Sequence, residues 1–101
     1  MIIPIFFKKL KGGVMLNGDD TFQVTKYILT SENRFLVLLD LLGGAKTARE
    51  ISLNINKSHS NVNRANRQLI SYGLVFKING KYAINLSGQL IALQLLNFLG
   101  L

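Results

Sequence analysis

Two β-rich runs, Leu74 to Ile78 and Lys81 to Asn85, meet at Asn79-Gly80. An Asn-Gly pair between such runs is the strongest short-range signal for a tight β-hairpin, because both central positions of its turn take φ > 0. Elsewhere the apolar residues recur at helical spacing. The chain is therefore expected to be mainly α with one small β-hairpin, an α+β fold, rather than a sandwich or a pure bundle.

The helical signals come in order. Gly12-Gly13 and Asn17-Gly18-Asp19-Asp20 are breakers that set off an N-terminal arm, 1–20, from the body. Phe22 to Leu29 carries both strand and helix features and reads better as a short helix. Ser31 or Thr30 is placed to cap the next helix, with Glu32 in its first turn and Phe35, Leu38, Leu39 and Leu42 as its inward stripe. Gly43-Gly44 stops it. Thr47 and Glu50 form a Thr-x-x-Glu capping box, opening a short helix whose Ala48, Ile51 and Ile55 face inward. After the turn Asn54-Ile55-Asn56-Lys57, Ser58 caps a helix that runs to about Tyr72, with Val62, Ala65 and Leu69 buried and Gly73 at the left-handed C-cap. Beyond the hairpin, Ser87 is the expected cap of a last helix reaching about Leu99.

Length and composition narrow the function. The chain has 101 residues, enough for one domain that buries roughly 60–70% of its unfolded surface. It has no cysteine, which excludes disulfide scaffolds, zinc ribbons and thiol chemistry and is compatible with a cytoplasmic location. The apolar start, Met1 to Phe7, precedes Lys8, Lys9 and Lys11, the reverse of a secretory signal. Tyr82 to Leu101 is a 20-residue uncharged tail, long enough to span a bilayer. Asn85, Ser87, Gly88, Gln89, Gln94 and Asn97 interrupt it, so no membrane span is expected. The formal net charge is +7, and residues 51–101 hold Lys57, Arg64, Arg67, Lys77 and Lys81 with no acid at all. Cations with no acid to oppose them are an electrostatic footprint for a polyanion.

No catalytic machinery is expected. Asp19, Asp20, Glu32, Asp40 and Glu50 show no paired pattern, and neither a glycine-rich phosphate loop nor a Ser-His-Asp spacing is present. His59 is the single histidine and has no neighbouring carboxylates with which to bind a metal. No cofactor and no metal is implied.

From Leu29 to Leu86 the sequence resembles the winged helix-turn-helix of bacterial and archaeal transcription regulators, near the ArsR and MarR families. Leu29-Thr30-Ser31-Glu32-Asn33-Arg34 resembles their lead into the first helix, and Thr47-Ala48-Arg49-Glu50-Ile51 the start of their second. Lys57-Ser58-His59-Ser60-Asn61-Val62 is similar to the start of their recognition helix, and Leu69 to Val75 to its end. The cysteine metal-sensing motif of many ArsR members is missing, and the hairpin is shorter than a usual MarR wing. The richness in Ile, Asn and Lys fits an AT-rich genome, archaeal ones among them. Three parts are expected: the arm 1–20, which the breakers set off and which matches nothing in these families, a winged DNA-binding domain over 21–86, which the resemblance implies, and a C-terminal dimerisation helix over 87–101.

The resemblance also implies that the helix after Ser58 enters the major groove of double-stranded DNA. Its face opposite the buried stripe carries Ser60, Asn63, Arg64 and Arg67, with His59, Asn61 and Gln68 nearer the edges and Lys57 and Ser58 at its start. Arg forks onto guanine, Asn or Gln onto adenine, and Ser and the helix N-terminus suit phosphate. Lys77 and Lys81 flank the hairpin tip and are expected to point the same way, towards the minor groove or its backbone. The last helix, apolar almost all round apart from a stripe of Gln89, Gln94 and Asn97, has more apolar surface than one small domain can cover. Leu90, Leu93, Leu96 and Leu99, joined by Ile5, Phe6 and Phe7 of the arm, are the expected homodimer contacts. The reading is a homodimeric, sequence-specific transcription regulator. Two others stay open: a winged helix used for protein assembly or for non-specific nucleic-acid or chromatin binding, and a small membrane-associated protein anchored by its tail.

Overall fold

The computed structural model describes residues 18–100. Five helices and a hairpin follow in the order α1 (Gly18–Leu29), α2 (Glu32–Leu41), α3 (Ala48–Ile55), α4 (His59–Ser71), β1 (Val75–Ile78), β2 (Lys81–Ile84) and α5 (Leu86–Phe98). The expected helix over Phe22 to Leu29 is present and begins earlier. Gly18, Asp19 and Asp20 are already helical. Residues 1–17, and with them Ile5, Phe6 and Phe7, lie outside the described residues.

The caps are where the sequence places them. Ser31 accepts from the Arg34 amide, Thr47 and Glu50 close their reciprocal box, and Ser58 accepts from the Asn61 amide. Gly73, at φ 74°, closes α4 by a Schellman motif: Leu74 N–H donates to Leu69 C=O at 3.0 Å and Gly73 N–H to Ile70 C=O at 2.9 Å. Asn79 and Gly80 turn the hairpin with φ 52° and 77°, the two positive values that the turn requires. α5 differs. Its cap is Asn85, one residue before the helix, whose Oδ1 accepts from the Gly88 amide at 2.8 Å. Asn85 Nδ2 also donates to Gly73 C=O, so the same side chain ties α5 to the end of α4.

α2 lies at the centre. Val37, Leu38 and Leu41 are its fully buried residues, while Phe35, Leu39 and Leu42 of the expected stripe are only partly covered. Helices α1, α3, α4 and α5 all pack around α2, so its burial is broad rather than one stripe. Val24 and Ile28 of α1, Ile51 of α3, Val62, Ala65 and Leu69 of α4, Leu74, Val75 and Tyr82 of the hairpin, and Ile91, Ala92 and Leu95 of α5 complete one core. A backbone bridge between Lys46 and Tyr82 adds a third, one-residue strand to the hairpin: Lys46 N–H donates to Tyr82 C=O at 3.0 Å and Tyr82 N–H to Lys46 C=O at 2.7 Å.

Two core positions make opposite demands. Asn66 is fully buried, yet neither Oδ1 nor Nδ2 has a hydrogen-bond partner among the described residues. An unsatisfied buried amide costs about 1–3 kcal/mol. Asn66→Leu, which keeps the γ-branched shape, should therefore raise the unfolding free energy by about 1–2 kcal/mol in a denaturant titration. At Gly88, a Cβ would stand 2.4 Å from Leu74 C=O and 2.6 Å from Ile84 Cγ1. Backbone is one of the two obstacles, so α5 would have to move off the hairpin. Gly88→Ala is expected to cost about 2–3 kcal/mol, the range of an overpacked core. Its thermal midpoint by circular dichroism should fall by roughly 10 °C or more; an unchanged midpoint would contradict this packing.

Candidate nucleic-acid interface

α3, its turn and α4 form a unit whose geometry is fixed from both ends. Thr47 N–H donates to Glu50 Oε1 at 2.8 Å, and Glu50 N–H donates to Thr47 Oγ1 at 3.1 Å. The backbone bond from Thr47, and more weakly the charges of Lys81 and Lys46, hold the Glu50 carboxyl below the usual carboxylate range. The stabilisation this gives is present above the ordinary carboxylate pKa and is lost as pH falls through the lowered folded value. Asn56, at φ 58°, ends α3 in the left-handed region. Lys57 N–H then donates to Ser52 C=O at 3.2 Å, and the Ser52 hydroxyl donates back to Lys57 C=O at 2.5 Å. Lys57 Nζ lies 2.9 Å from Glu32 Oε1, pinning the turn to the start of α2.

The outward row of α4 is Ser60, Arg64, Arg67 and Ser71, spaced along one face opposite Val62, Ala65, Asn66 and Leu69. All four are exposed. Neither Arg64 nor Arg67 has an ion-pair or hydrogen-bond partner among the described residues. His59 is exposed, and Asn61 and Asn63 are half-buried on opposite flanks. Gln68 is placed differently. Its Oε1 accepts from Arg34 Nη1 at 3.0 Å, so it faces α2.

Arg34 is the residue that sequence reasoning missed. Its Nε and Nη2 donate to Tyr27 C=O at 3.1 and 2.8 Å, and Nη2 also donates to Thr30 Oγ1 at 2.7 Å. The guanidinium carbon lies 3.8 Å from the Tyr27 ring centroid, and that ring stacks on Tyr72 at 4.0 Å and 13°. Burial pushes the Tyr72 hydroxyl pKa up, with the Tyr27 hydroxyl adding to the shift and Arg34 opposing it. A lone arginine gives no local signal for such a role, because its partners lie 7 and 34 residues away. Arg49 is a second omission. The capping box sets it in the first turn of α3, exposed and without a partner among the described residues.

The wing lysines part company. The register pairs Lys77 with Tyr82 and Ile78 with Lys81. Because faces alternate along a strand, Lys77 and Lys81 point to opposite sides of the hairpin and not the same way. Lys77 Nζ lies 5.2 Å from the Tyr82 ring centroid on the core side. Lys81 projects from the outer side with Phe76, Ile78 and Ala83. Among the described residues, no three His, Cys, Asp or Glu side chains gather into a metal site. Nor is any helix there long and apolar enough to cross a membrane.

A MarR family protein from Bacillus stearothermophilus has a similar solved structure, with a TM-score of 0.64 over 79% of this chain at 20% sequence identity. The fold is a winged helix-turn-helix. In it α3 and α4 are the helix-turn-helix pair and β1–β2 the wing. The chain spans 64% of the length of that MarR protein. No protein-family model and no curated protein matches the sequence.

If Arg34 is what seats α1 and α4 on α2 of this winged helix, the guanidinium shape should matter beyond its charge. Arg34→Lys keeps the charge and loses the fork and the stack. It should lower the unfolding free energy by about 2 kcal/mol, and Gln68→Ala by about 1 kcal/mol. Urea titrations followed by tryptophan-free probes such as far-UV dichroism would measure both.

Proposed function

We propose that the protein is a sequence-specific, double-stranded DNA-binding transcription regulator that acts as a homodimer. The observation that carries this reading is the outward row of α4. Arg64 and Arg67 stand there unopposed on the second helix of a helix-turn-helix, and no acid follows Glu50 in the sequence. In this geometry α4 lies in the major groove, where the two arginines can fork onto guanine O6 and N7 and Asn63 can reach adenine. The first helix of such a pair crosses the backbone, which gives exposed Arg49 a phosphate to meet. Ser58, Ser60 and His59 at the start of α4 serve the same strand. Lys57 joins them by exchanging Glu32 for a phosphate. The wing, with Lys77 and Lys81, meets the minor groove or its backbone.

The dimer reading rests on α5. Its outer face exposes Leu86, Leu90 and Leu93, interleaved with Gln89, Gln94 and Asn97. The amides thus share the exposed face rather than forming a separate solvent stripe. Leu96 is half-buried on the flank, and Leu99 is exposed at the C-cap. A two-fold assembly is the commonest way to cover such a face. Burying three leucines contributes about 4–9 kcal/mol, comparable with the estimated association cost of about 4–15 kcal/mol, so Leu99 and the arm residues Ile5, Phe6 and Phe7 are proposed to add area.

The test begins with a duplex pool of random sequence from which the protein selects its sites. Arg64→Ala and Arg67→Ala should each weaken the selected site by about 1–3 kcal/mol relative to random duplex. Equal loss on all sequences would assign the arginines to phosphate alone and favour the non-specific reading. Lys81→Gln should lower the slope of log affinity against log salt by roughly 0.9. In sedimentation equilibrium the parent should run at twice the 11.3 kDa chain mass, and Leu90→Glu with Leu93→Glu should run as a monomer that no longer binds paired half-sites cooperatively. A monomeric parent would remove the dimer from the proposal.

A further inference from the structure

The outer face of the wing has an unusual make-up. Phe76 and Ile78 are 43% and 52% exposed there, beside Lys81. Exposed two-stranded edges are ordinarily protected by charge, and here the residue next to the turn is an isoleucine. Ile78 covers no part of the core, which lies on the other side of the hairpin under Val75 and Tyr82. Its cross-strand neighbour is Lys81, and Asn79 is exposed at the tip between them. β2 is bridged at Tyr82 to Lys46, the residue before the cap of α3, so the wing and the helix-turn-helix share an edge.

Lys81 acts on the exposed Glu50 carboxylate through space but makes no ion pair among the described residues, and no acid follows Glu50 in the sequence. An apolar side chain beside such a lysine fits an occupant that is anionic outside and apolar within. The minor groove of a duplex is such a place, with phosphates along its rims, sugars for walls and stacked bases beneath. A groove about 6 Å wide admits a side chain rather than a ribbon, so the residues beside the turn decide what reaches its floor. An aliphatic side chain pushed between two base pairs unstacks them and kinks the duplex.

We propose that Ile78 is an apolar wedge at the minor groove: it enters beside a phosphate held by Lys81 and kinks the duplex at a flexible pyrimidine–purine step. The inference rests on the DNA-binding reading and adds to it a residue that selects sequence through deformability rather than through base hydrogen bonds.

The probe is a duplex of about 30 base pairs, selected from a random pool by the parent protein and labelled with a dye at each end, so that bending shortens the dye separation. The parent should bend it by roughly 20–90°. Ile78→Ala should lose more than half of that bend, bind about tenfold more weakly and lose its preference for TA or CA/TG steps at the wing position. Ile78→Leu, still apolar and large, should restore the bend, and Phe76→Ala, on the same face but farther from the tip, should keep it. A parent that binds and leaves the duplex straight, or an Ile78→Ala protein that bends it as the parent does, overturns the wedge and leaves DNA binding standing. A parent that retains no duplex even at low salt overturns both.

Discussion

The Arg34 guanidinium closes three helices against one another. The last carbonyls of α1 have no intrahelical donors, and Arg34, from the first turn of α2, supplies two N–H groups to one of them, the Tyr27 carbonyl. Its remaining fork engages Thr30 and, across the domain, Gln68 of α4. Tyr27 then stands between the guanidinium and Tyr72, which caps α4. Both ends of α4 are therefore anchored through α2, by Glu32–Lys57 at its start and by Arg34 towards its end. The outward row Ser60, Arg64, Arg67 takes its direction from those two anchors and from the Val62–Leu69 stripe between them.

What was legible in the sequence was local. Ser31, Thr47 with Glu50, Ser58, Gly73 and Asn79-Gly80 act within four or five residues of themselves, and each holds its expected place. Non-local contacts decided the remainder. The buried face of α2, Val37, Leu38 and Leu41, departs from the stripe Phe35, Leu38, Leu39 and Leu42 because neighbours on several sides cover this helix, and periodicity reports only one face. Ser87 and Asn85 are both able caps, and Asn85 takes the role with its Nδ2 also bound to Gly73 C=O, 12 residues away, a contact that no local signal reports. The wing lysines flank the turn symmetrically in sequence and so read as one-sided, whereas the register of 77 with 82 and 78 with 81 sets them apart. In the candidate interface, the exposed row of α4 follows from helical spacing. Gln68 does not, since its partner is 34 residues away.

Asn66 shows a different kind of limit. It falls among Val62, Ala65 and Leu69 on the buried side, and its amide gains nothing there. Sequence pattern would have put an apolar residue at this position, and local rules are most often broken at functional or strained sites. Asn66 adjoins Arg67 in the chain, so its cost falls on the helix that carries the exposed arginine row. A core that packed this helix with maximal stability would hold a leucine at 66.

The disposition of charge gives the surface its direction. Glu32 is spent on Lys57, and Asp40 faces Lys46 at 3.8 Å while also accepting from Asn54. Both acids thus neutralise cations that brace the helix-turn-helix from behind. Arg34 has no carboxylate partner among the described residues, and carbonyl, amide and hydroxyl oxygens accept from its donors without cancelling its charge. Opposed cations therefore sit at the joints of the fold, Lys81 on the outer wing lies within the field of Glu50 without an ion pair to it, and Arg49, Arg64 and Arg67 remain unpaired among the described residues on the exposed helix faces. A field of one sign, carried on side chains that no internal ion pair holds back, attracts a polyanion from a distance and lets the arginines reorient onto it. The pairing that stabilises the domain and the lack of pairing that would bind DNA are two parts of one charge pattern.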